Sequence, residues 1–351
     1  MSLLEATIVN IKELDLEAIN EVKDYQNKLT KPQGSLGILE ELSLQLSGIT
    51  GQKFPDIEKK AVVIMAADHG VVAEGISAYP SEVTPQMVNN FIQGGAAINV
   101  LSRHTGSDVF VVDVGVATDL DHPKVLSYKV KLGTENMAQG PAMTKKEAIQ
   151  ALEVGIKVAN DLTGKGYRML ATGEMGIGNT TASSALVAAF MGVPAVEVTG
   201  KGTGIQGEVI IHKAKVIDGA IAFNQLNPKE PIDVLAKVGG LEIAALAGLI
   251  LGAAAKQIPV VIDGFISSAA ALVAWKIAPR SMGYMISSHC SAEMAHRKLL
   301  QYMGLKPVLE LEMRLGEGTG AVLAFPLIEA AVKIVKEMAT FESAGIAGAN
   351  D

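Results

Sequence analysis

Two glutamates set beside glycines are the residues of this 351-residue chain best suited to chemistry. Glu317 stands in Arg314-Leu315-Gly316-Glu317-Gly318-Thr319-Gly320, and Glu174 in Gly173-Glu174-Met175-Gly176-Ile177-Gly178-Asn179-Thr180-Thr181. A carboxylate held among small residues on the floor of a pocket loses water. That favours its protonated form and suits it to work as a general base. The same carboxylate could instead cap its own helix by accepting backbone N–H bonds. These two glycine-rich strings, and a third at Thr199-Gly200-Lys201-Gly202-Thr203-Gly204, each precede a helical pattern. Glycine lets the backbone approach a ligand closely, and a helix N-terminus offers free N–H groups and the positive end of its dipole. A phosphate or carboxylate can be held there without a metal. Taken singly, such loops are also ordinary strand-to-helix turns; three of them with charged members point to a site.

The elements that must position these loops share one grammar. Short apolar, mostly β-branched runs at residues 61–67, 108–114, 167–172, 258–262, 282–287 and 308–315 each meet a glycine-bearing or polar turn. Runs without alternation fit strands covered on both faces. Helical spacing follows at 180–190, 265–275, 292–300 and 321–338, and lies between these units at 36–49 (with Ser35 as its cap), 85–104, 145–162 and 205–224. Residues 239–256 are apolar on nearly every side and predict a central buried helix. Strands alternating with helices imply right-handed βαβ units, hence an α/β fold with a mostly parallel sheet of about six strands, and ligands bound beyond the carboxyl ends of the strands. The expected division is an N-terminal helical part of a small domain at 1–55, an α/β catalytic domain at 56–328, and a C-terminal helix and tail at 329–351 that rejoin the small domain.

Composition excludes several functions. Lys and Arg total 30 against 37 Asp and Glu, a formal charge of −7, which argues against a nucleic-acid partner. The single cysteine, Cys290, forbids an intrachain disulfide or a multi-cysteine zinc site. With no apolar leader near Met1, it leads us to expect a reducing cytoplasm. The longest uncharged apolar run, 243–255, is flanked by Glu242 and Lys256 and is shorter than the ~20 residues of a membrane span. Neither a phosphate-loop lysine motif, nor the third glycine of a dinucleotide fingerprint, nor a nucleophile elbow, nor H-E-x-x-H occurs. His289 and His296, seven apart, are read as structural, and no metal is expected.

Further strings occur in one order with the three loops: Lys31-Pro32-Gln33-Gly34-Ser35-Leu36-Gly37, Ala67-Asp68-His69-Gly70-Val71, Asp113-Val114-Gly115, Asp263-Gly264-Phe265 and Ser288-His289. Over roughly residues 1–340 the chain resembles the nicotinate-nucleotide–dimethylbenzimidazole phosphoribosyltransferase family. The resemblance implies a Rossmann-like sheet flanked by helices with a smaller helical domain, a homodimer, and no cofactor. It also implies transfer of phosphoribosyl from nicotinate mononucleotide to 5,6-dimethylbenzimidazole with inversion, for the nucleotide loop of cobalamin. Glu317 matches the family's proton acceptor, and Glu174 matches a second acid that assists electrostatically or binds the ribose hydroxyls. The nucleotide and its phosphate are expected on Gly176, Gly178, Asn179, Thr180, Gly202, Thr203 and Gly204, with Lys213 as counter-charge and Ser291 as a hydroxyl contact. Tyr79, Gln86, Met175 and Leu315 are expected to line the base pocket. Asp263 is expected to bind loop N–H groups, and Asp68-His69 to organise its own loop. A Rossmann-type oxidoreductase and a non-catalytic nucleotide sensor are the competing readings; the missing third glycine weighs against the first and the glycine-flanked Glu317 against the second.

Overall fold

The computed structural model describes residues 1–200, 202, 204 and 207–347. Along the chain run α1 (Leu3–Asn10), α2 (Leu16–Gln26), α3 (Ile38–Thr50), β1 (Lys60–Ala67), α4 (Val83–Gln93), α5 (Ala97–Thr105), β2 (Asp108–Gly115) and β3 (Val125–Ser127). Then come α6 (Lys145–Gly164), β4 (Met169–Met175), α7 (Asn179–Met191), α8 (Glu208–Phe223), α9 (Pro231–Val238), α10 (Leu241–Ala255) and β5 (Val260–Ile262). The chain finishes with α11 (Phe265–Ile277), β6 (Met285–Ser287), α12 (Met294–Met303), α13 (Thr319–Glu337) and α14 (Phe341–Ala344). The six strands form one sheet in the order β3-β2-β1-β4-β5-β6, every pair parallel.

Successive side chains of β1 divide the core. Ala61, Val63, Met65 and Ala67 join the apolar cluster that includes α6, α7, α10 and α11. Val62, Ile64 and Ala66 join the opposite cluster with residues of α3, α5 and α13. Both faces are dry, which is why the strand reads as unbroken apolar sequence. Helix α10 is buried almost throughout and packs on α6. The seam is made of backbone: a Cβ on Gly155 would overlap the Ala245 carbonyl, and one on Gly248 the Leu152 carbonyl. Order in the sheet reverses between β1 and β4, the centre strands, where Met65 pairs with Glu174. The crevice at such a switch point is where an open parallel sheet holds ligands.

The structure departs from the sequence reading in four places. Residues 308–315 are not a strand. They run beside β6 and make an isolated bridge between Leu309 and His289, and the alternating charges of Glu310, Glu312 and Arg314 leave them largely exposed at the sheet's edge. The sixth strand is instead Val125–Ser127, too short to stand out from its polar surroundings. The helix expected over 85–104 is two, α4 and α5, separated at Gly94, which takes φ 80° and closes the first. Ser35 does not cap α3. Gly37 occupies the cap with φ 53°, while the Glu40 carboxylate reaches back to accept the N–H groups of Leu36 (3.0 Å) and Gly34 (3.3 Å). Helix α13, which begins at the Gly316–Gly320 loop, continues without a break through Pro326 and packs against α3 and α5.

Candidate active site

Glu174 is the penultimate residue of β4, and Glu317 precedes α13 in a turn laid across the end of that strand. The glycines are what allow this. A Cβ on Gly316 would overlap the Glu174 carboxylate, and one on Gly173 would lie 2.5 Å from the Glu317 carbonyl oxygen. Glu317 itself sits at φ 64°, a left-handed conformation that costs a side-chain-bearing residue about 1 kcal/mol. Its own N–H donates to Glu174 Oε1 at 3.3 Å, so the two acids are joined through backbone. Glu174 Oε2 accepts from the Asn179 amide, and Glu317 Oε2 accepts the N–H of Ile98 in the first turn of α5 at 3.3 Å.

Both carboxylates are 6 % exposed. Burial pushes Glu174 up to about 8, helped by the charges of Asp263 and Glu242 and opposed by the bonds from Glu317 N–H and Asn179. Burial likewise raises Glu317, the Ile98 N–H opposes it, and Asp263 adds to it. Asp263, just past β5, does what the sequence suggested: Oδ2 accepts from Gly318 N–H at 3.1 Å and Oδ1 from Ala321 N–H at 3.0 Å. It thereby ties the start of α13 to the sheet, one turn from Glu317.

These acids line one cavity of about 470 Å³ at the carboxyl ends of β4, β5 and β6. Of the expected residues it brings together Glu317, Glu174, Gly176, Asn179, Thr180, Gly202, Ser291, Tyr79, Met175 and Leu315. Tyr79 and Leu315 stand at the rim, 51 % and 56 % exposed. Lys213 lies behind the wall and reaches it through Thr180, whose Oγ1 accepts from Lys213 Nζ at 2.6 Å. Burial brings Lys213 down to about 8, with Glu293 opposing.

Other expected contacts fall elsewhere. Gly178 is the cap of α7 at φ 97°, behind the lining. Gly204 is exposed and apart from the cavity, and Thr203 lies outside the described residues. Gln86 is exposed and also apart; a quarter-turn away on the same helix, Val83 and Met87 face the cavity instead. Spacing alone does not separate them, since 86 is three residues from 83 and shares its side of the helix; the packing of α4 is what turns Val83 and Met87 inward.

Residues to which the sequence reading gave no place in the site also line the cavity. Arg314, at the mouth, donates toward the Gly202 carbonyl at 3.5 Å and adds a second cation near Thr180. Phe265 and Ile266 extend the apolar wall. Arg314 sits three residues before Glu317 in the quoted loop, a signal that was available. Phe265 and Ile266 open α11 directly after Asp263-Gly264, and only the sheet order shows that this helix faces the Glu317 turn. His289 lines the cavity with Nε2 3.5 Å from Asp263, and His296 is bonded to Ser268 Oγ and to the Ser291 N–H. Burial, with His289 adding to it, holds His296 down to about 3, so it is a neutral structural imidazole. Among the described residues no group of three or more His, Cys, Asp or Glu side chains is arranged to hold a metal ion.

The arrangement can therefore seat an anion beside Lys213, Thr180 and Arg314, a flat apolar ring against Met175, Met87 and Phe265, and a proton on a buried acid in the same cavity. Comparison with known proteins gives the family. A family profile described as phosphoribosyltransferase matches residues 11–346. The chain is 57 % identical over 347 residues to the nicotinate-nucleotide–dimethylbenzimidazole phosphoribosyltransferase of Chloroflexus aggregans, covering 99 % of this chain and 98 % of that one. It is 54 % identical over 348 residues to the protein of the same name from Geobacter sulfurreducens, covering 99 % of each. A crystal structure of the Thermus thermophilus protein of that name superposes with a TM-score of 0.91 at 47 % identity, over 96 % of this chain and 100 % of that one.

Proposed function

Because this chain belongs to the nicotinate-nucleotide–dimethylbenzimidazole phosphoribosyltransferase family, we propose that it moves the 5-phosphoribosyl group of nicotinate mononucleotide to 5,6-dimethylbenzimidazole. The products are α-ribazole 5′-phosphate and nicotinate, and the product nucleotide enters the nucleotide loop of cobalamin. The observation that carries this reading is the pair Glu174 and Glu317, both buried in the lining of one cavity that also takes in Thr180, Arg314, Met175 and Phe265.

The chemistry asks little else of the protein. Nicotinate leaves as the C1′–N bond of a pyridinium breaks, and the ring nitrogen takes the bonding pair, so no acid is required. The benzimidazole nitrogen attacks C1′ from the opposite face, inverting it, and the other ring nitrogen gives up its proton. Glu317 is the acceptor of that proton, a service worth roughly 10²–10⁴ in rate. Glu174, fixed by Asn179 and the Glu317 N–H, stabilises positive charge developing on the ribose in its ionised form, so with its carboxyl held up to about 8 this contribution grows as pH rises toward that value. Phosphate is held at the Thr180, Lys213 and Gly202 end, with Arg314 at the mouth and Ser291 on the wall. Met175, Tyr79 and Leu315, with Val83 and Met87, hold the base. Placing two flat rings on opposite faces of one sugar supplies the remaining acceleration.

Incubation with nicotinate mononucleotide and dimethylbenzimidazole, with and without EDTA, tests the reading. Equal formation of α-ribazole phosphate in both is the expected outcome; no product would refute it, and loss in EDTA reversed by Mg²⁺ would refute a phosphate site built of protein donors. The working assembly is a homodimer, checked by light scattering, where a monomer counts against it. The cytoplasm is the proposed location, supported by the one free, buried thiol, Cys290. Among the described residues no helix is long and apolar enough to cross a membrane.

A further inference from the structure

The mechanism leaves unused one pair of ionisable side chains shut away from water. His69 follows β1 and Glu242 stands in the first turn of α10. His69 Nε2 lies 2.7 Å from Glu242 Oε1, with the two side chains 1 % and 0 % exposed. Neither lines the cavity. The charged groups facing them are Asp68 at the end of β1 and Glu174 at the end of β4. Burial alone would drive the proton off His69; the charge and hydrogen bond of Glu242, with Asp68 adding, outweigh it, so the proton affinity of the ring is raised. An uncompensated carboxylate at full burial would be far costlier than a paired one.

The imidazole is also the floor of the turn after β4. A Cβ on Gly176 would come within 3.4 Å of the ring, one on Gly178 within 3.2 Å of the His69 Cβ, and one on Gly240 would overlap Cε1. Two backbone segments, the turn of residues 176–178 and the residue before α10, close on this side chain. The turn leads directly into Asn179, whose amide holds Glu174.

We propose that His69 and Glu242 form a buried ion pair that positions the turn of residues 176–178, and through Asn179 the Glu174 carboxylate, for phosphoribosyl transfer. The kinetic part rests on the function proposed above; the ion pair itself does not. His69 and Glu242 touch no substrate and are positioning residues. The pair also holds the Glu242 charge in check near Glu174, which that charge would otherwise push further toward its protonated form.

Two measurements separate the parts. In the full-length protein labelled with ¹⁵N-histidine, one of the six imidazoles should remain doubly protonated at pH 8, and that signal should vanish in Glu242→Gln. A wild-type spectrum with no imidazolium at pH 8 overturns the ion pair, whether or not the protein turns over. In kinetics, His69→Gln should lower kcat on the order of tenfold and leave the KM for nicotinate mononucleotide within about twofold. It should also move the ascending limb of kcat against pH upward by roughly one unit, because Glu242 is left unpaired beside Glu174. The double variant His69→Gln/Glu242→Gln should bring the limb back. A limb that stays in place in His69→Gln makes the pair merely structural and overturns the positioning role. Wild-type protein that shows the imidazolium but forms no product sinks the function and leaves the ion pair standing.

Discussion

Glycine closes two backbones together at two places in this molecule, to opposite ends. Along the seam of α6 and α10, Gly155 and Gly248 bring helix against helix, and the surroundings are Ala, Leu and Ile with nothing to ionise. Under the Glu317 turn, Gly316 and Gly173 bring loop against strand, and the space gained is filled by two carboxylates. In the seam every group is satisfied by contact. In the wall Glu317 holds a left-handed backbone and, among the described residues, a single side-chain hydrogen bond, from Ile98 N–H, while its neighbour Asp263 accepts two N–H bonds and locks the same loop. Strain and an easily released acid mark the place built for reaction, and complete satisfaction marks the place built for stability. Asp263 shows that the distinction is made residue by residue, since it lies in the wall and behaves like the seam.

Breaking the wall should cost activity and not folding. Glu317→Gln keeps the volume and the bond from Ile98 N–H and removes the proton acceptor. We expect turnover to fall at least about a hundredfold, with nicotinate mononucleotide binding by calorimetry close to wild type. Near-normal turnover would transfer the base to another group. Breaking the seam should do the reverse. Gly248→Ala puts a methyl group into the Leu152 carbonyl, and stability in urea should drop by about 2–3 kcal/mol. The kcat per folded molecule should stay within about twofold of wild type. A variant as stable as wild type would mean that the two helices separate without penalty.

The same contrast governs what could be read from the sequence. Seam and sheet were legible because burial on both faces leaves long apolar runs, as in β1 and α10, and because helices of the α/β kind follow their strands closely. Val125–Ser127 was not, since three residues carry no period. Residues 308–315 misled because an alternating apolar–charged run satisfies a strand pattern, while pairing depends on a neighbour the sequence does not show. In the wall, Glu174 and Glu317 were legible from glycines that have no other purpose. Gln86 was misplaced because the face α4 turns to the cavity depends on its packing, and Val83 and Met87 hold that face. His289 and Phe265 belong to elements brought beside β4 by sheet order, which no local motif encodes.

The smallest effect sharpens the comparison most, because it reads the cost of keeping an acid where the seam would have a hydrocarbon. Burial holds Glu174 at about 8 when folded, against 4.5 for the ordinary group. An acid whose folded pKa is raised binds more protons folded than unfolded between those values, so stability falls as pH rises through that window. Below pH 4 Glu174 is neutral in both states, and Glu174→Gln should match wild type in Tm to within a degree or two. From about pH 4.5 to 8 the wild type should lose stability that the glutamine variant keeps, and the gap should level off above pH 8 at a few degrees in Tm. The remaining ionisable groups are common to both proteins, so the difference between the two curves isolates this one side chain. A gap of the same size at pH 4 and pH 9 would show that the glutamine differs by packing alone and that Glu174 is held without electrostatic strain. A gap that opens in the stated window shows a carboxylate kept at the expense of stability, beside a seam where the chain makes no such concession.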